Sequence, residues 1–379
     1  MNVQELDKAA DAAAARRDIK AARGFLMQRV ALEPSFDALL KLGALAKAQG
    51  DAGQSLAMID RALTLRPLDL MALLMRATQL QAMGRDDDAG VAFGRALGQC
   101  DPHNPPRGLA PAIAMAQDRH ASWQRRQVAR FTAAVEAATG AAPSPRMARF
   151  ITNICRLTQP DRDGPTHYCY PDLEEIGYYP DARFEWLAQL AAATGDIADE
   201  LAALLSIKDR ASTPYVQYPD GLPLDQWAAL NNNRDWSALH LIEKGVVNDA
   251  NARHCPKSMA VLKTLPQPDI AGAGPNAMFS LLAPHTHIPP HTGVSNTRLV
   301  CHLPLVVPQG CWFRVGEERR EWAKGTPWVF DDTVDHEAMN PTDQLRVVMI
   351  FDIWHPDLDA DERRAISAII AAGGRIHGL

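Results

Sequence analysis

The chain has 379 residues, enough for two or three domains. Its formal net charge of −6 provides no basic field to hold a phosphate backbone, which argues against general nucleic-acid binding. Nowhere do about 18 uncharged apolar residues run together, and the N-terminal stretch alternates alanine with charged residues. Neither a membrane span nor a secretory signal is therefore predicted, and the simplest compartment is the cytoplasm.

The six cysteines are scattered and form no Cys-x-x-Cys pair. This pattern favours neither a disulfide framework nor a zinc ribbon. We therefore expect reduced, half-buried thiols.

The first 104 residues are rich in alanine and leucine and carry an internal repeat. Gly50 and Gly84 are 34 residues apart, while Pro34, Pro67 and Pro102 follow one another at 33 and 35 residues. This period and the placement of large, small and turn residues resemble tetratricopeptide repeats, with a weaker first copy. We predict a repeat domain over 1–104 whose glycines end helices in the left-handed conformation. Its surface either binds a peptide or partner, or only covers the next domain or mediates dimerisation.

A helical connector is predicted over 105–160, because a proline-rich breaker is followed by helical spacing. A further helix is predicted from Trp186 to Leu205, and an amphipathic helix closes the chain. Between them, short alternating apolar runs bounded by Pro, Gly and Asn predict strands, and such spacing implies a sandwich or barrel. The predicted strands cover 236–245, 277–284, 297–308, 311–315, 318–322, 327–332 and 345–354.

Two histidines, His291 and His336, lie 45 residues apart at the edges of β-rich runs. Imidazoles on facing strands with open coordination positions suit a non-haem Fe(II) that must also bind a cosubstrate and oxygen. The usual iron triad adds a carboxylate two residues after the first histidine, where this chain has Gly293. Spacing alone is weak evidence, because three other histidines compete for the same site: His285, His287 and His302.

Several motifs occur in a fixed order between residues 290 and 358: P-H-T-G-V-S-N-T-R-L, H-L-P-L-V-V-P, G-C-W-F-R-V-G, F-D-D-x-x-x-H-E and F-D-I-W-H-P-D-L. Together they resemble the aspartyl/asparaginyl β-hydroxylase family of 2-oxoglutarate-dependent oxygenases. The resemblance covers about Trp236 to Leu358 and extends more weakly back to His167. It implies a double-stranded β-helix, a jelly-roll or cupin-like oxygenase domain, over 161–379. The expected fold class is α+β multidomain, with the all-α repeats preceding this domain.

The resemblance also implies how cofactors would be bound. His291 and His336 would be the catalytic iron ligands, and Fe(II), 2-oxoglutarate and O2 would be required. Arg346 would pair with the distal carboxylate of 2-oxoglutarate, helped by the Ser280 hydroxyl, because a guanidinium fits a carboxylate in bidentate geometry. His302 would lie near the cosubstrate's other carboxylate.

On the substrate side, the resemblance implies that Arg298 pairs with an acidic substrate side chain. Many family members carry an arginine at the place of Val300, so the grip on cosubstrate or substrate is weaker here. Another family arginine is replaced by Asn231, and Arg234 is close enough in sequence to substitute for it.

Three acidic residues have less specific expectations. Asp331 and Asp332 either orient His336 or form a strand-end turn, and Asp352 is expected to cap a sheet edge. Trp312, Trp322, Trp328 and Trp354 are expected in the core rather than on a binding surface.

The function implied by the resemblance is hydroxylation of the β-carbon of an aspartyl or asparaginyl residue in a peptide or protein, which the repeats help to present. Two alternatives stay open. The substrate is a free amino acid, another small molecule or a lipid acyl chain; or the chain is a non-catalytic repeat scaffold with an inert barrel.

Overall fold

A computed structural model describes residues 1–100, 106, 108–158, 167–208, 210–219 and 224–373. The chain forms two compact units, one of Met1–Arg126 with Pro219–Pro223 and one of Gln127–Tyr218 with Leu224–Leu379. Within the described ranges, no helix combines the length and the apolar character needed to cross a membrane.

Among the described residues, ten helices precede the first strand along the chain and three follow it. Their bounds are α1 Val3–Ala15, α2 Ile19–Leu32, α3 Phe36–Ala48, α4 Ala52–Leu65, α5 Leu70–Ala82, α6 Asp86–Leu97, α7 Ala110–Thr139, α8 Pro145–Ile154, α9 Leu187–Ala192, α10 Thr194–Ser206, α11 Asp249–Ala252, α12 Pro256–Leu262 and α13 Ala360–Gly373. The helix predicted from Trp186 to Leu205 is thus two helices, α9 and α10, that meet at Ala193.

Helices α1 to α6 form three consecutive pairs. The first helix of each pair begins at Val3, Phe36 and Leu70, so the repeat length is 33 and then 34 residues. Gly50 and Gly84 have φ angles of 78° and 72°, which confirms the predicted left-handed helix ends. The predicted helical repeats are therefore present, with the expected period.

Close packing between α6 and the middle of α7 gives a stability prediction. A Cβ added at Gly90 would lie 2.2 Å from Cγ of Trp123, so we expect Gly90→Ala to lower the free energy of unfolding by about 1–3 kcal/mol. Gly24, inside α2, has no atom within 4 Å of the same added Cβ. Gly24→Ala is the matched control and should be neutral or stabilise by about 0.5–1 kcal/mol. Urea titration followed by circular dichroism measures both variants, and equal stability would contradict the packing.

The strands of the second unit form two antiparallel sheets. Their bounds are β1 Thr213–Pro214, β2 Trp236–Glu243, β3 Val246–Val247, β4 Ala277–Leu282, β5 Thr286–His291, β6 Arg298–Val306, β7 Trp312–Val315, β8 Glu318–Glu321, β9 Trp328–Phe330, β10 His336–Asn340 and β11 Arg346–Trp354. The large sheet has the order β1-β2-β4-β11-β6-β9, with β3 paired to β2, and the small sheet has the order β5-β10-β7-β8. The predicted α+β class is confirmed, with helical repeats ahead of a jelly-roll-like pair of sheets.

Four strands were not predicted, namely β1, β3, β5 and β10, and the last two carry His291 and His336. β5 contains Pro289 and Pro290, which donate no ladder hydrogen bonds and therefore normally argue against a strand. β5 lies at the edge of the small sheet, where such prolines are tolerated. β10 is short and its sequence, H-E-A-M-N, lacks the apolar run of a typical strand.

Side-chain alternation in the large sheet separates two layers. Leu299, Cys301 and Leu303 of β6 pack with α9, α10 and α12 in the main core. Val300 lies between Leu299 and Cys301 in sequence and points to the opposite face of β6, where it packs in one cluster with Phe313 of β7. Because successive strand residues point to opposite faces, alternate residues of β6 and β11 are directed into the space between the sheets, namely 298, 300 and 302 of β6 and 346, 350 and 352 of β11.

Candidate functional site

A cavity of about 280 Å³ lies between the two sheets of the second unit. Alternate residues of β6 line it, namely Arg298, Val300 and His302. At about 3.3 Å per strand residue, Arg298 and His302 are roughly 13 Å apart along the strand. We call the part near His302 and Arg346 the Arg346 end, and the part near Arg298 and Asp352 the Arg298 end.

The two histidines predicted as metal ligands meet in this cavity. His291 ends β5, His336 begins β10, and they are direct register partners with ring centroids 4.1 Å apart. Nδ1 of His291 is 2.8 Å from the Pro289 carbonyl oxygen, and Nδ1 of His336 is 2.9 Å from that of Val334. A carbonyl oxygen only accepts, so each Nδ1 carries the proton and each Nε2 retains a lone pair.

Burial keeps both rings neutral. It lowers the pKa of His291 to about 4, with His336 as a second cause, and it lowers the pKa of His336 to about 4. A neutral imidazole is the form that binds metals. The expectation that Asp331 or Asp332 orients His336 is not met, because the partner of Nδ1 is a backbone carbonyl. The side chain of Asp331 instead accepts hydrogen bonds from Thr333, which is the strand-end turn.

The position of the usual third ligand is filled by another carboxylate. A Cβ placed on Gly293 would lie 2.3–2.5 Å from the carboxyl atoms of Asp332. Over the described ranges, no group of three or more His, Cys, Asp and Glu side chains is arranged to hold a metal. The donor set fits a metal that binds two imidazoles and takes its other ligands from small molecules.

The Arg346 end holds a buried cation without a counter-ion. Arg346 is 2% exposed, and its Nη1 donates to the Ser280 carbonyl oxygen at 3.2 Å and to Ser280 Oγ at 3.4 Å. Its Nε has no partner, and no carboxylate pairs with it among the described residues. Trp322 covers the guanidinium at 4.9 Å. Burial lowers the pKa of Arg346 to about 9, because no carboxylate among the described residues offsets the cost of burying its charge.

Ser280 and His302 complete this end of the cavity. The indole Nε1 of Trp236 donates to Ser280 Oγ at 3.2 Å, which leaves the hydroxyl hydrogen available for a ligand. His302 is buried with an unpaired Nδ1, and burial, followed by Arg346, lowers its pKa well below the ordinary value. The role of Trp236 was missed from sequence; its position on alternating strand β2, facing the same side as His240, was the available signal.

The Arg298 end is dominated by an ion-pair cluster. Nη1 of Arg298 lies 3.0 Å from Asp332 Oδ2 and 3.5 Å from Asp352 Oδ1. Oδ2 of Asp352 accepts from the backbone N and the side-chain Nδ2 of Asn276, at 3.1 and 2.8 Å. Burial opposes the charge of Arg298, but the two carboxylates outweigh it and raise the pKa of Arg298. Asp352 therefore lines the cavity, and the expectation that it caps a sheet edge was wrong.

The remaining predicted residues divide between the cavity and the surface. Val300 lines the cavity next to Phe330, its strand partner on β9. Arg234 is exposed and does not line this cavity, so its role stays a prediction. Of the tryptophans expected in the core, Trp322, Trp328 and Trp354 are buried as expected and Trp312 is half-buried. Trp322 also lines the cavity.

Two of the competing histidines lie away from the pair. His285 is bound to Asp343 and His287 to Glu337, each at 2.7 Å, and both rings are exposed. The third, His302, lies at the Arg346 end. Of the candidates, His291 and His336 are therefore the two that face each other.

Comparisons with known proteins find sequence similarity over part of the chain. Residues 192–356 match the family model described as aspartyl/asparaginyl beta-hydroxylase. The chain is 36% identical over 150 residues to the aspartyl/asparaginyl beta-hydroxylase of Mus musculus, which covers 39% of this chain and 20% of the mouse protein. It is 32% identical over 220 residues to the aspartate beta-hydroxylase domain-containing protein 2 of Rattus norvegicus, covering 57% of this chain and 62% of that protein.

The chain therefore spans about a fifth of the first of these curated relatives and about three fifths of the second. Among solved structures, a Cupin 2 conserved barrel domain protein from Salinispora arenicola matches 40% of this chain and 98% of its own, at 15% identity and a TM-score of 0.22. The fold assignment rests on the strand order described above. Over residues 192–356, the second unit is thus similar to the aspartyl/asparaginyl beta-hydroxylase family.

Proposed function

We propose that the second unit is an Fe(II)- and 2-oxoglutarate-dependent dioxygenase that hydroxylates the β-carbon of an aspartyl or asparaginyl residue in a peptide or protein. The observation that carries this proposal is the pairing, in one cavity, of two converging neutral imidazoles with a buried guanidinium that has no counter-ion among the described residues. A dicarboxylic acid that chelates a metal at one end and meets Arg346 at the other supplies what both groups lack.

His291 and His336 would hold the iron through their Nε2 atoms. When bound, the iron would couple decarboxylation of 2-oxoglutarate by O2, giving succinate and CO2, to insertion of the second oxygen atom into a substrate C–H bond. The chain fixes the imidazoles by their bonds to the Pro289 and Val334 carbonyls. Second partners of this kind hold ring orientation and tautomer in metal sites.

Arg346 and Ser280 would bind the distal carboxylate of 2-oxoglutarate. Trp236 accounts for the orientation of the Ser280 hydroxyl, because its indole donates to the same oxygen. His302 would lie close to the cosubstrate, and its neutral ring adds no charge there. Phe313 and Trp322, which line the cavity, would keep water from the reacting atoms.

We further propose a peptide or protein as the partner, with the helical repeats as a candidate surface for presenting it. Three stacked helix pairs form the kind of extended surface that repeat proteins use for binding. Cytoplasmic localisation, tetratricopeptide-type presentation and the domain limits 1–104, 105–160 and 161–379 are part of this proposal. If the chain were a non-catalytic scaffold, there would be no physical reason to bury Arg346 without a carboxylate partner among the described residues.

The test is turnover by the full chain. We expect succinate formation after addition of Fe(II), 2-oxoglutarate and O2, and a mass gain of one oxygen in libraries of peptides that contain Asp or Asn. Calorimetry with Mn(II), which binds similar ligands without turnover, reports 2-oxoglutarate binding separately. The absence of both succinate and 2-oxoglutarate binding would refute the proposed function.

A further inference from the structure

The Arg298 end of the cavity carries more negative than positive charge. Arg298 lies between Asp332 and Asp352 at 3.0 and 3.5 Å, and all three side chains are buried. Asn276 fixes Asp352 from behind through two hydrogen bonds, so this carboxylate cannot readily swing away. One guanidinium is thus shared by two carboxylates, which gives the cluster a net charge of about −1 when all three groups are ionised.

Three polar atoms of this cluster are buried without a hydrogen bond among the described residues: Oδ1 of Asp332, and Nε and Nη1 of Arg298. Nη1 is in ion-pair contact with Asp332 Oδ2, whereas Oδ1 of Asp332 and Nε of Arg298 have no such contact. Oδ1 is an acceptor and Nε a donor. If a bound ligand leaves these atoms without hydrogen bonds, the cost of their desolvation lowers its affinity. A ligand that can both donate and accept a hydrogen bond is therefore favoured.

Among the described residues, no other buried cation lines this end. The lining includes two further basic side chains, Arg346 and Lys244. Arg346 lies at the opposite end, and Lys244, whose backbone N donates to Asn276 Oδ1, is exposed at the surface. Between Arg298 and His302, the wall is formed by the apolar side chain of Val300.

We propose that the Arg298 end selects a carboxamide side chain, that of an asparaginyl residue, and rejects a carboxylate. The amide NH2 donates to Asp332 Oδ1, and the amide oxygen accepts from Arg298 Nε. A carboxylate has no hydrogen to donate, and it would bring a third negative charge to one guanidinium. This inference rests on the proposed function and names the substrate class of the same site.

The test uses two peptide pools, identical except for Asn or Asp at the central position, mixed in equal amounts with the full chain, Fe(II), 2-oxoglutarate and O2. Mass spectrometry counts the hydroxylated products, and succinate release is measured in parallel. We expect at least about a tenfold preference for the Asn pool.

The Val300→Arg variant adds a cation to the wall of the cavity and should reduce that preference at least about tenfold. Val300→Met is the control for added length without charge.

Asp352→Asn provides a second variant if Val300→Arg does not fold, because it frees Arg298 from one of its two carboxylates and should also shift selection toward Asp. Equal or faster reaction of the Asp pool overturns the inference. So does succinate release without modification of either pool, or an identical response of Val300→Arg and Val300→Met. Failure of succinate release together with failure of 2-oxoglutarate binding removes the proposed function, and the inference with it.

Discussion

The His336→Ala variant is expected to lose succinate formation and to bind Mn(II) more than about 100-fold more weakly than the unmodified chain. His336 and His291 are the two imidazoles that converge at 4.1 Å, and one imidazole alone cannot hold the ion against water. Loss of a residue that merely orients a metal ligand commonly costs 10- to 100-fold in affinity, so loss of a ligand should cost more. Calorimetric titration with Mn(II) measures the affinity independently of turnover.

The matched control is His285→Ala. His285 lies close to β5 in sequence, but its ring is exposed and bound to Asp343. Its removal should leave metal affinity unchanged. Peptide hydroxylation that persists in His336→Ala, or an equal loss of Mn(II) binding in both variants, would show that the metal is held elsewhere.

Replacing Arg346 should have opposite effects on cosubstrate binding and on stability. Truncating one partner of a buried charge pair costs about 2–5 kcal/mol, so Arg346→Met should weaken 2-oxoglutarate binding by roughly 30-fold to several thousand-fold. Without ligand, Arg346 is a buried cation for which the described part of the chain provides no counter-ion. Its replacement by an apolar side chain should raise the free energy of unfolding of the ligand-free protein by about 1–4 kcal/mol, the range known for buried ionic groups.

Thermal unfolding with and without 2-oxoglutarate separates these two effects. The unmodified protein should gain about 2.7 kcal/mol at a ligand concentration of 100 times its Kd, and the variant should gain at most about 0.9 kcal/mol at that same concentration. Arg364→Met, at an exposed ion pair on α13, is the control and should change neither quantity. An Arg346→Met protein that is less stable without ligand would mean that the guanidinium has a structural role.

The sequence predicted the repeat period because helix ends leave a local signature. The left-handed glycines at positions 50 and 84 mark the ends of two first helices, and their spacing needs no knowledge of the fold. The apolar strands were equally visible, since β6 and β11 are buried on both faces and read as continuous apolar runs. The strands that carry the metal-ligand candidates were less visible, because β5 contains two prolines and β10 is short and polar.

The site was predicted only where the motifs resembled a known family. Spacing could not choose His291 and His336 from the other histidines, because their meeting depends on the register of β5 with β10. The pairing of Arg298 with Asp332 and Asp352 was not predictable either. These residues lie 34 and 54 positions beyond Arg298 in the chain, and only the folded sheets bring them together.

The close approach of Gly293 to Asp332 limits which residues can replace Gly293 during evolution. Adding any side chain at position 293 forces it against the Asp332 carboxyl group, and an aspartate there would also bring two like charges together. A site with two histidines and a carboxylate at position 293 therefore requires that residues 293 and 332 both change. Either change alone would be unfavourable. Mutational scanning of residue 293 alone would therefore find that no substitution is tolerated. This would hold even if a protein with both residues 293 and 332 replaced were active.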